Sequence, residues 1–428
     1  MLMKPIKKEL EDRGLLYQFN DEKIFELLDE GGKNFYCGFD PSADSLHLGN
    51  FIGFMVAIHI MRRGNIYTAL TGGATGMIGD PGGKSAERNF LSMDVLDKNV
   101  SAISAQISKM LEKLSDFTGE KYSYRFVNNK TFYENMGFLD FLREVGKFIT
   151  VNTMMNKEAV KKRIEDPNLS ISYTEFSYQL LQGYDYSKMH KDDGMILQIG
   201  GQDQWGNLLT GTELIRKKYD GDSYALTWPL ITDSTGKKFG KSEGNAMFLD
   251  ENKTTPYFIY QYFMNTSDED ISRYLKMLTL IETEQIDEIV KQHLEKPENR
   301  EGQKILAFKV VEIVHGTKKA ELCKKISEFM FGSDDKMSIL RELSDEELKI
   351  FQNSMGGFDY NGENFFEIIV KSGLETSNSN ARQSVSSGAI HINENKITDA
   401  KYDFSNDFIN NKFLLLQKGK KNFRLILK

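Results

Sequence analysis

Apolar and polar positions follow two different patterns along the chain, and the change between them divides the sequence. From about residue 34 to residue 231, short apolar runs alternate with stretches of helical spacing. The runs predict strands at Asn34–Asp40, Ile66–Gly72, Tyr124–Asn128 and Met195–Gly200. Such alternation is typical of a parallel sheet with right-handed crossovers, whose ligands bind at the carboxyl ends of the strands.

Helical spacing is clearest in three stretches of this first part. The pattern predicts a helix from Leu48 to about Arg63, a long amphipathic helix with Ser92 as its N-cap, and a helix beginning near Gln204. Past Phe248 the pattern is helical only. It predicts four helices, at Pro256–Met264, Asp268–Leu278, Thr283–Leu294 and Glu298–Val314.

The last third of the chain changes character again. An acidic, polar stretch is followed by two short helical segments and by strands near 389–392, 413–416 and 422–427. We therefore predict four segments: a Rossmann-like α/β domain at 1–247 with an insertion at about 130–165, an α-helical domain at 248–330, a linker at 331–360, and a small α+β domain at 361–428.

Composition narrows the class of protein. The chain has 428 residues, 40% of them hydrophobic and 27% charged, as in a soluble enzyme of two or three domains. We expect no signal peptide or membrane span, and two cysteines, Cys37 and Cys323, are too few for a disulfide framework or a zinc site. A reducing cytoplasm is the expected compartment.

Charge is unevenly distributed along the chain. The net charge is −7, so any binding of nucleic acid must be local. Residues 365–428 carry ten Lys or Arg against six Asp or Glu, whereas the rest of the chain is acidic. This segregation indicates that the C-terminal part binds a polyanion.

Two motifs point to nucleotide chemistry. After the first predicted strand, Pro41 breaks the chain before His47 and Asn50 begin a helix, and a helix N-terminus is an anion site. Far downstream, Lys238-Phe-Gly-Lys241-Ser242 forms a cationic loop. The pair suggests a nucleotide held between a helix end and lysines, although an ordinary helix start and solvated lysines are the plain alternative.

Three further stretches carry polar residues in suggestive places. The glycine-rich run Gly72–Gly83 lacks the spacing of a Walker A motif, so it is either a turn that positions Asp80, Lys84 and Arg88 or a plain charged loop. One helix face carries side chains that either line a pocket for a zwitterion or face water, namely Tyr178, Gln182 and Asp185. Asp203 follows a strand and suits either a ribose hydroxyl or an N-cap.

In combination these motifs resemble the bacterial-type tyrosyl-tRNA synthetases, a family of class I aminoacyl-tRNA synthetases, from about residue 10 to the C-terminus. His47-Leu-Gly-Asn50 corresponds to the first class signature, usually His-x-Gly-His, and Lys238–Ser242 to the second. The remaining matches are Tyr36–Asp40, Glu175–Asp185, Gly200–Asn207 and, for an S4-type RNA-binding fold, Ser377–Asn393.

The resemblance implies a role for each matching residue. The tyrosine site would comprise Tyr36, Asp80, Asn129, Tyr178, Gln182, Asp185 and Gln198. The ATP site would comprise Cys37, Gly38, Asp40, Ser42, His47, Gly49, Asn50, Gly201, Asp203, Gln204, Lys238, Lys241 and Ser242. Catalysis would depend on His47, Asn50, Lys84, Arg88, Lys238 and Lys241. The tRNA would be held by Arg382, Lys418, Lys420, Lys421 and Arg424.

The resemblance also implies an activity and partners. The enzyme would join tyrosine to tRNA(Tyr) through a tyrosyl adenylate, using ATP with Mg²⁺ and no tightly bound protein metal. It would be a cytoplasmic homodimer with an interface near Gly137–Met155. Two positions depart from the family pattern: Asn50 replaces the more frequent histidine, and Gln202 replaces a serine.

Three competing interpretations stand beside this one. A tryptophanyl-tRNA synthetase shares the fold and the signatures, but Tyr36, Asp185 and the S4-like tail favour tyrosine. A non-catalytic RNA-binding protein derived from a synthetase would not need the catalytic and binding residues intact, namely His47, Asp80, Asp185 and Lys241. An unrelated nucleotidyltransferase would need neither the amino-acid pocket nor the tail.

Overall fold

The computed structural model describes residues 3–82, 91–166, 168–234, 236, 239–242, 245–332, 336–419 and 422–428, with only the backbone of Ala159, Lys241, Ser242 and Asn245. These residues form two compact units, one of 1–254 with 263–316 and one of 255–262 with 317–428. Within these ranges no helix has the length and apolar character that crossing a bilayer requires. The four-segment division of the sequence stays a prediction.

The first unit is built on a six-stranded sheet. Its strands are β1 Gln18–Phe19, β2 Asn34–Phe39, β3 Ile66–Thr71, β4 Tyr124–Asn128, β5 Met195–Gly201 and β6 Tyr224–Trp228. Their order is β1-β6-β5-β2-β3-β4, and every neighbouring pair is parallel except β1 with β6. The predicted parallel sheet is confirmed, with β1 and β6 as strands that the pattern did not reveal.

Chain order reverses between β2 and β5. From β2 the chain continues outward through β3 and β4, and then returns to place β5 on the other side of β2. In open parallel sheets this reversal opens a crevice at the carboxyl ends of the two strands. A binding cleft is therefore expected after Phe39 and Gly201.

Helices cover the sheet and continue beyond it. The helix Leu48–Met61 is buried over nearly its whole length, which explains its uniformly apolar sequence. Ser92 caps the helix Met93–Thr118 by accepting from the backbone N–H of Val95, as predicted. The α-helices of this unit are Ile6–Asp12, Lys23–Glu30, Leu48–Met61, Thr75–Ile78, Met93–Thr118, Lys130–Tyr133, Phe138–Glu144, Val151–Met155, Glu158–Glu165, Tyr173–Asp193, Trp205–Tyr219, Asp268–Leu278, Thr283–Glu295 and Glu301–His315, with short 3-10 helices at Gly146–Phe148, Gln202–Gln204 and Pro297–Asn299. A separate pair of two-residue strands, β7 Lys241–Ser242 and β8 Asn245–Ala246, follows the sheet along the chain.

A buried arginine joins the N-terminal helix to the helical segment that follows the sheet. The guanidinium of Arg13 donates to the backbone carbonyls of Lys276, Thr279 and Ile281, at 2.9–3.0 Å. Its remaining partner is the carboxylate of Glu9. Because a buried charge is tolerated only when fully paired, these bonds fix residues 276–281 against the sheet-bearing part of the unit.

The second unit is a small α+β structure, as predicted for the end of the chain. Its helices are Thr317–Phe331, Lys336–Arg341, Asp345–Met355, Phe365–Lys371 and Asn378–Ser386, and the helix Pro256–Met264 lies partly in it. Its strands are β9 Gly357–Asp359, β10 Ile390–Ile392, β11 Asn395–Ile397, β12 Phe413–Lys418 and β13 Asn422–Leu427, in the order β11-β10-β12-β13-β9. Alternate residues of β12 face two hydrophobic clusters, Leu414 and Leu416 one, Phe413 and Leu415 the other.

Candidate active site

A cleft of about 610 Å³ lies where the reversal of strand order predicts one. Its walls come from the ends of β2, β5 and β6 and from the helices Leu48–Met61 and Tyr173–Asp193. The residues predicted from sequence that line it are Tyr36, Cys37, Gly38, Asp40, Ser42, His47, Gly49, Asn50, Asp80, Tyr178, Gln182, Asp185, Gln198, Gly201, Asp203 and Gln204. Motifs from distant parts of the sequence therefore meet in one cavity.

One part of the cleft pairs a phenol with a carboxyl group. Tyr36 is 1% exposed and Asp185 2% exposed, and the Tyr36 hydroxyl has no hydrogen-bond partner within the described part of the chain. Burial raises the pKa of Asp185 to about 8, and burial next to Asp185 raises the pKa of Tyr36 well above its usual value. Gln198 Oε1 is likewise buried and has no partner among the residues that the structure describes. Because buried polar atoms are nearly always hydrogen-bonded, we expect a polar ligand to contact these two atoms.

Two donors from the β4 side hold the Asp185 carboxyl. Asn129 Nδ2 lies 2.8 Å from Asp185 Oδ2, and the Tyr133 hydroxyl lies 2.8 Å from Oδ1. Asn129 is fully buried and accepts from the backbone N–H of Ala74 through its Oδ1. It reaches the cleft through Asp185 rather than by lining it.

Asp40 connects this group to the rest of the cleft. The Tyr178 hydroxyl donates to its Oδ2 at 2.9 Å, and Thr75 Oγ1 donates to its Oδ1 at 2.8 Å. Asn129 Nδ2 also approaches Thr75 Oγ1, at 3.1 Å. Burial, and then the charges of Asp40 and Asp80, raise the pKa of Tyr178, so this phenol stays a donor.

Three donors from the described residues hold Asp80 beside the start of the helix Trp205–Tyr219. Gln204 Nε2 lies 2.5 Å from Asp80 Oδ2, while Asn207 Nδ2 and the backbone N–H of Gly82 lie 3.4 and 3.0 Å from Oδ1. The resemblance assigned Gln204 to the nucleotide. The structure places its amide on Asp80, so it bridges the two halves of the predicted site.

The two signature motifs lie against each other. The His47 backbone N–H donates to Asn50 Oδ1 at 3.0 Å and begins the helix at Leu48, as predicted. Gly240 has a φ of +77°, and a Cβ there would lie 3.1 Å from the backbone nitrogen of Gly49. Only glycine suits both this conformation and this approach. Gly240 of the second signature is thereby set against the start of the helix Leu48–Met61, which carries the first signature.

Four predicted cationic positions carry no described side chain. Lys84, Arg88 and Lys238 lie outside the described residues. Lys241 and Ser242 form β7, which pairs antiparallel with β8 at Asn245–Ala246. The described cleft is otherwise acidic, with the carboxyl groups of Asp40, Asp80, Asp185 and Asp203 on its walls.

Sequence reasoning missed three residues of this network. Thr75 lies in the glycine-rich run but was not singled out, and Tyr133 and Asn207 were passed over. Asn207 follows Asp203 by one helical turn, a spacing that could have drawn attention to it. Tyr133 had no such signal, because its partner Asp185 is 52 residues away along the chain.

Comparison with known proteins agrees with this geometry. Residues 30–332 match the family model of the class I tRNA synthetases (W and Y), and residues 348–426 match that of the tyrosine–tRNA ligase SYY-like C-terminal domain. The chain is 43% identical, over 97% of its length and 98% of the relative's, to a tyrosine–tRNA ligase of Streptococcus pneumoniae. The chain belongs to the tyrosine–tRNA ligases, a class I aminoacyl-tRNA synthetase family.

Two further relatives support this membership. Tyrosine–tRNA ligase 1 of Streptococcus thermophilus is 43% identical over 98% of this ligase-family chain and 99% of its own length. The crystal structure of a C-terminally truncated mitochondrial tyrosyl-tRNA synthetase from Aspergillus nidulans is 29% identical, with a TM-score of 0.70, covering 77% of this chain and 95% of that one.

The second unit of this tyrosine–tRNA ligase family member carries the predicted RNA-binding side chains. The Arg382 guanidinium lies 5.2 Å from the Phe366 ring centre, and Lys418 forms an ion pair with Glu375 at 2.7 Å. Arg424 donates to the backbone carbonyls of Ser372, Met355 and Phe423. Lys420 and Lys421 lie outside the described residues.

Proposed function

We propose that the cleft binds tyrosine and ATP, joins them as tyrosyl adenylate with release of pyrophosphate, and delivers the tyrosyl group to the 3′-terminal ribose of tRNA(Tyr). The observation that carries the proposal is the buried hydroxyl of Tyr36, which has no partner among the described residues and lies in the same cleft as Asp185. A phenolic substrate can both accept from Tyr36 and donate to Asp185. Phenylalanine would leave these buried groups unpaired, which is costly.

The same pair of side chains separates tyrosine from tryptophan. An indole has one N–H donor and no acceptor, so it cannot satisfy the Tyr36 donor and the Asp185 carboxyl together. The family model covers both substrates. The hydrogen-bonding capacity of Tyr36 and Asp185 therefore favours the phenol over the indole.

The ammonium group of the substrate would be held by acceptors on one side of the cleft. Asp80, Tyr178 and Gln182 line this side, and Asp80 already receives three hydrogen bonds that fix its orientation. A carboxylate that is positioned before binding loses little entropy when the substrate arrives. Gln198, with its buried and unpartnered Oε1, would complete the tyrosine site.

The nucleotide would occupy the ends of β2 and β5. Cys37, Gly201 and Asp203 would contact the ribose, with Gly38, Asp40 and Gln204 beside them. A Cβ at Gly201 would lie 2.8 Å from Asp203 Oδ1, so glycine is needed for that carboxylate to keep its place. Burial raises the pKa of the Cys37 thiol to about 12, and a neutral thiol is a hydrogen-bonding group rather than a nucleophile.

The first chemical step needs no acid or base. A carboxylate oxygen of tyrosine attacks the α-phosphorus of ATP in line, the bond to the bridging oxygen breaks, and pyrophosphate leaves with the electron pair. Holding both reactants in one cleft removes an entropic barrier on the order of 7–11 kcal/mol in well-oriented cases. Ser42, His47, Gly49 and Asn50 lie at the helix entry that would receive the phosphates.

Cations must complete the phosphate site, because the described walls of the cleft are acidic. Three carboxyl groups on those walls, those of Asp40, Asp80 and Asp203, would repel a triphosphate in the absence of neutralising charge. We assign that charge to Lys84, Arg88, Lys238 and Lys241, and to Mg²⁺ that arrives bound to the phosphates of ATP. Ser242, next to Lys241, would complete the ATP site.

An exposed apolar surface supports a homodimer. Phe138, Leu139 and Val151 are 66%, 72% and 58% exposed, whereas Phe141 and Phe148 pack against the core of the unit. Large apolar side chains clustered at a surface mark an interaction site. A second copy of the chain is the proposed partner, with Gly137–Met155 as the interface.

The C-terminal unit would bind tRNA(Tyr) as an S4-like domain, in the cytoplasm. The excess of basic residues from residue 365 onward supports contact with phosphates. Among the proposed contacts, Arg382 is exposed, whereas Lys418 and Arg424 already bond to protein groups. Lys420 and Lys421 would complete the basic surface.

The test is exchange of labelled pyrophosphate into ATP by the purified protein, with tyrosine, tryptophan and phenylalanine supplied separately. The proposal requires tyrosine to support exchange at a far higher kcat/KM than tryptophan or phenylalanine. A preference for tryptophan would assign the protein to the other branch of the family. No exchange with any of the three would leave a non-catalytic RNA-binding role, which a filter assay with tRNA(Tyr) would then measure.

A further inference from the structure

A second phenol touches Asp185, from outside the cleft lining. The Tyr133 hydroxyl lies 2.8 Å from Asp185 Oδ1 and 3.0 Å from the backbone carbonyl of Leu181. Tyr133 ends the short helix that follows β4, whereas Asp185 and Leu181 lie one turn apart on the helix Tyr173–Asp193. The Tyr133 side chain thus bonds to two successive turns of the helix Tyr173–Asp193.

The Tyr133 ring is fixed by aromatic packing. Its centre lies 5.5 Å from the Tyr184 ring and 6.4 Å from the Phe141 ring. It belongs to a cluster around buried Val145 and Ile149. Since the ring cannot turn without disturbing this cluster, the position of its hydroxyl is set by the core and not by the ligand.

A phenol has one proton, and the two neighbouring oxygens give it two alternatives. When Asp185 is ionised, Tyr133 donates to Oδ1. When Asp185 is protonated, the carboxyl can donate to the Tyr133 oxygen, which then donates to the Leu181 carbonyl. Every polar atom of this chain of bonds is satisfied in both states, so the Asp185 side chain keeps its orientation through a change of protonation.

The two phenols near Asp185 differ in one decisive respect. The Tyr133 hydroxyl bonds to Asp185, whereas the Tyr36 hydroxyl lines the cleft and has no hydrogen-bond partner among the described residues. Asn129 occupies a lone pair of Oδ2. A carboxylate offers about four lone-pair positions, so acceptor capacity remains for a phenol that enters the cleft.

We propose that Tyr133 is a specificity-determining positioning residue, whose hydroxyl orients Asp185 so that its open lone pairs face the phenolic hydroxyl of the substrate. The inference rests on the proposed function and deepens it. It predicts that Tyr133 affects recognition of the substrate phenol, and not ATP or the chemical step.

The surroundings of Asp185 set the direction of a pH effect. The titratable groups that face it are Tyr36 and Asp40 from the β2 side, Tyr178 from its own helix, and Tyr133. Burial raises its pKa, the bonds from Asn129 and Tyr133 lower it, and the charge of Asp40 raises it. Loss of the Tyr133 hydroxyl therefore moves ionisation of Asp185 to higher pH.

The test compares Tyr133→Phe with Tyr184→Phe in the full-length protein. The control removes a hydroxyl from the same aromatic cluster that makes no bond to Asp185. Pyrophosphate exchange is measured with tyrosine and with phenylalanine from about pH 6 to pH 9, a range that brackets the ionisation of Asp185. We expect Tyr133→Phe to lower kcat/KM for tyrosine about tenfold, mainly by raising KM. We also expect the increase of kcat/KM with pH to occur at higher pH in this variant than in wild type.

Phenylalanine separates this effect from damage to the fold. A positioning effect leaves kcat/KM for phenylalanine within about twofold of wild type, whereas a misfolded variant loses both substrates alike. The same KM for tyrosine and the same pH profile in both variants would overturn the inference while the proposed function stands. Absence of tyrosine-dependent exchange in the wild type would overturn both.

Discussion

Replacing Asp185 with asparagine should stabilise the first unit, and more so as the pH rises. The side chain keeps its shape, and its new amide can still be satisfied. Its oxygen accepts from Asn129 and its NH₂ donates to the Tyr133 oxygen, which turns its proton to the Leu181 carbonyl at 3.0 Å. What changes is the group that burial prevents from ionising.

The magnitude follows from the raised pKa. The pKa of Asp185 is about 8 in the folded protein against 3.8 for the unperturbed group. Folding therefore keeps a proton that the unfolded chain releases, so the wild type has its full stability below about pH 4 and loses it as the pH rises toward 8. Each pH unit in this window costs about 1.4 kcal/mol, or about 3 kcal/mol between pH 5 and pH 7.

Tryptophan fluorescence during urea unfolding measures this loss. The only two tryptophans of the chain, Trp205 and Trp228, both belong to the first unit, so the signal reports that unit. The free energy of unfolding of Asp185→Asn minus that of wild type should grow by about 3 kcal/mol from pH 5 to pH 7. No substrate is needed, so the measurement is independent of activity.

Asp116→Asn provides the matched control, since Asp116 is an exposed carboxylate on the helix Met93–Thr118 of the same unit. Its difference from wild type should stay within about 0.5 kcal/mol over the same range. A difference for Asp185→Asn that is equal at pH 5 and pH 7 would refute the reasoning, because burial would then not hold the proton.

Three other substitutions probe the rim of the cleft and the signature loop. Gly240→Ala places a Cβ 3.1 Å from the Gly49 nitrogen at a φ of +77°, and should lower kcat for pyrophosphate exchange at least about tenfold. Unchanged kcat would mean that the backbone at Gly240 can shift without affecting the reaction. Gln202→Ser removes the 3.4 Å hydrogen bond from the Leu230 N–H to Gln202 Oε1. Because this bond is exposed, the free energy of unfolding should fall by about 0.5 kcal/mol or less. A loss above about 2 kcal/mol in urea unfolding would contradict this. Lys241→Ala should slow adenylate formation in single-turnover experiments far more than it weakens tyrosine binding; equal weakening would exclude a role in the transition state.

The strands and the shared cleft could be predicted because their signals are local. The third predicted strand, Tyr124–Asn128, has the same bounds as β4, since its aromatic and β-branched residues Tyr124, Phe126 and Val127 favour a strand. The two-residue β1 carries no such pattern. It exists because its backbone pairs with the edge of β6, which the sequence around Gln18 does not reveal.

The residues that orient the site were harder to predict than the residues that line the cleft. Tyr36 and Asp185 could be named from motifs, and the structure brings both to the cleft. Thr75 and Tyr133 act through other side chains, so their roles depend on distances that arise only when the helix Tyr173–Asp193 packs beside the ends of β2 and β4. The family usually has serine at position 202, and only the structure shows that Gln202 accepts a hydrogen bond from the Leu230 N–H.

The position of β2 in the sheet has a consequence for synthesis of the protein. β2 pairs with β3, which follows it closely, and with β5, which begins about 160 residues after β2 ends. At about 5–20 residues per second, one edge of this apolar strand waits roughly 8–30 s for its partner on the ribosome. A nascent chain stalled before Met195 would expose that edge to other chains, so a fragment of residues 1–194 should aggregate where the complete chain does not.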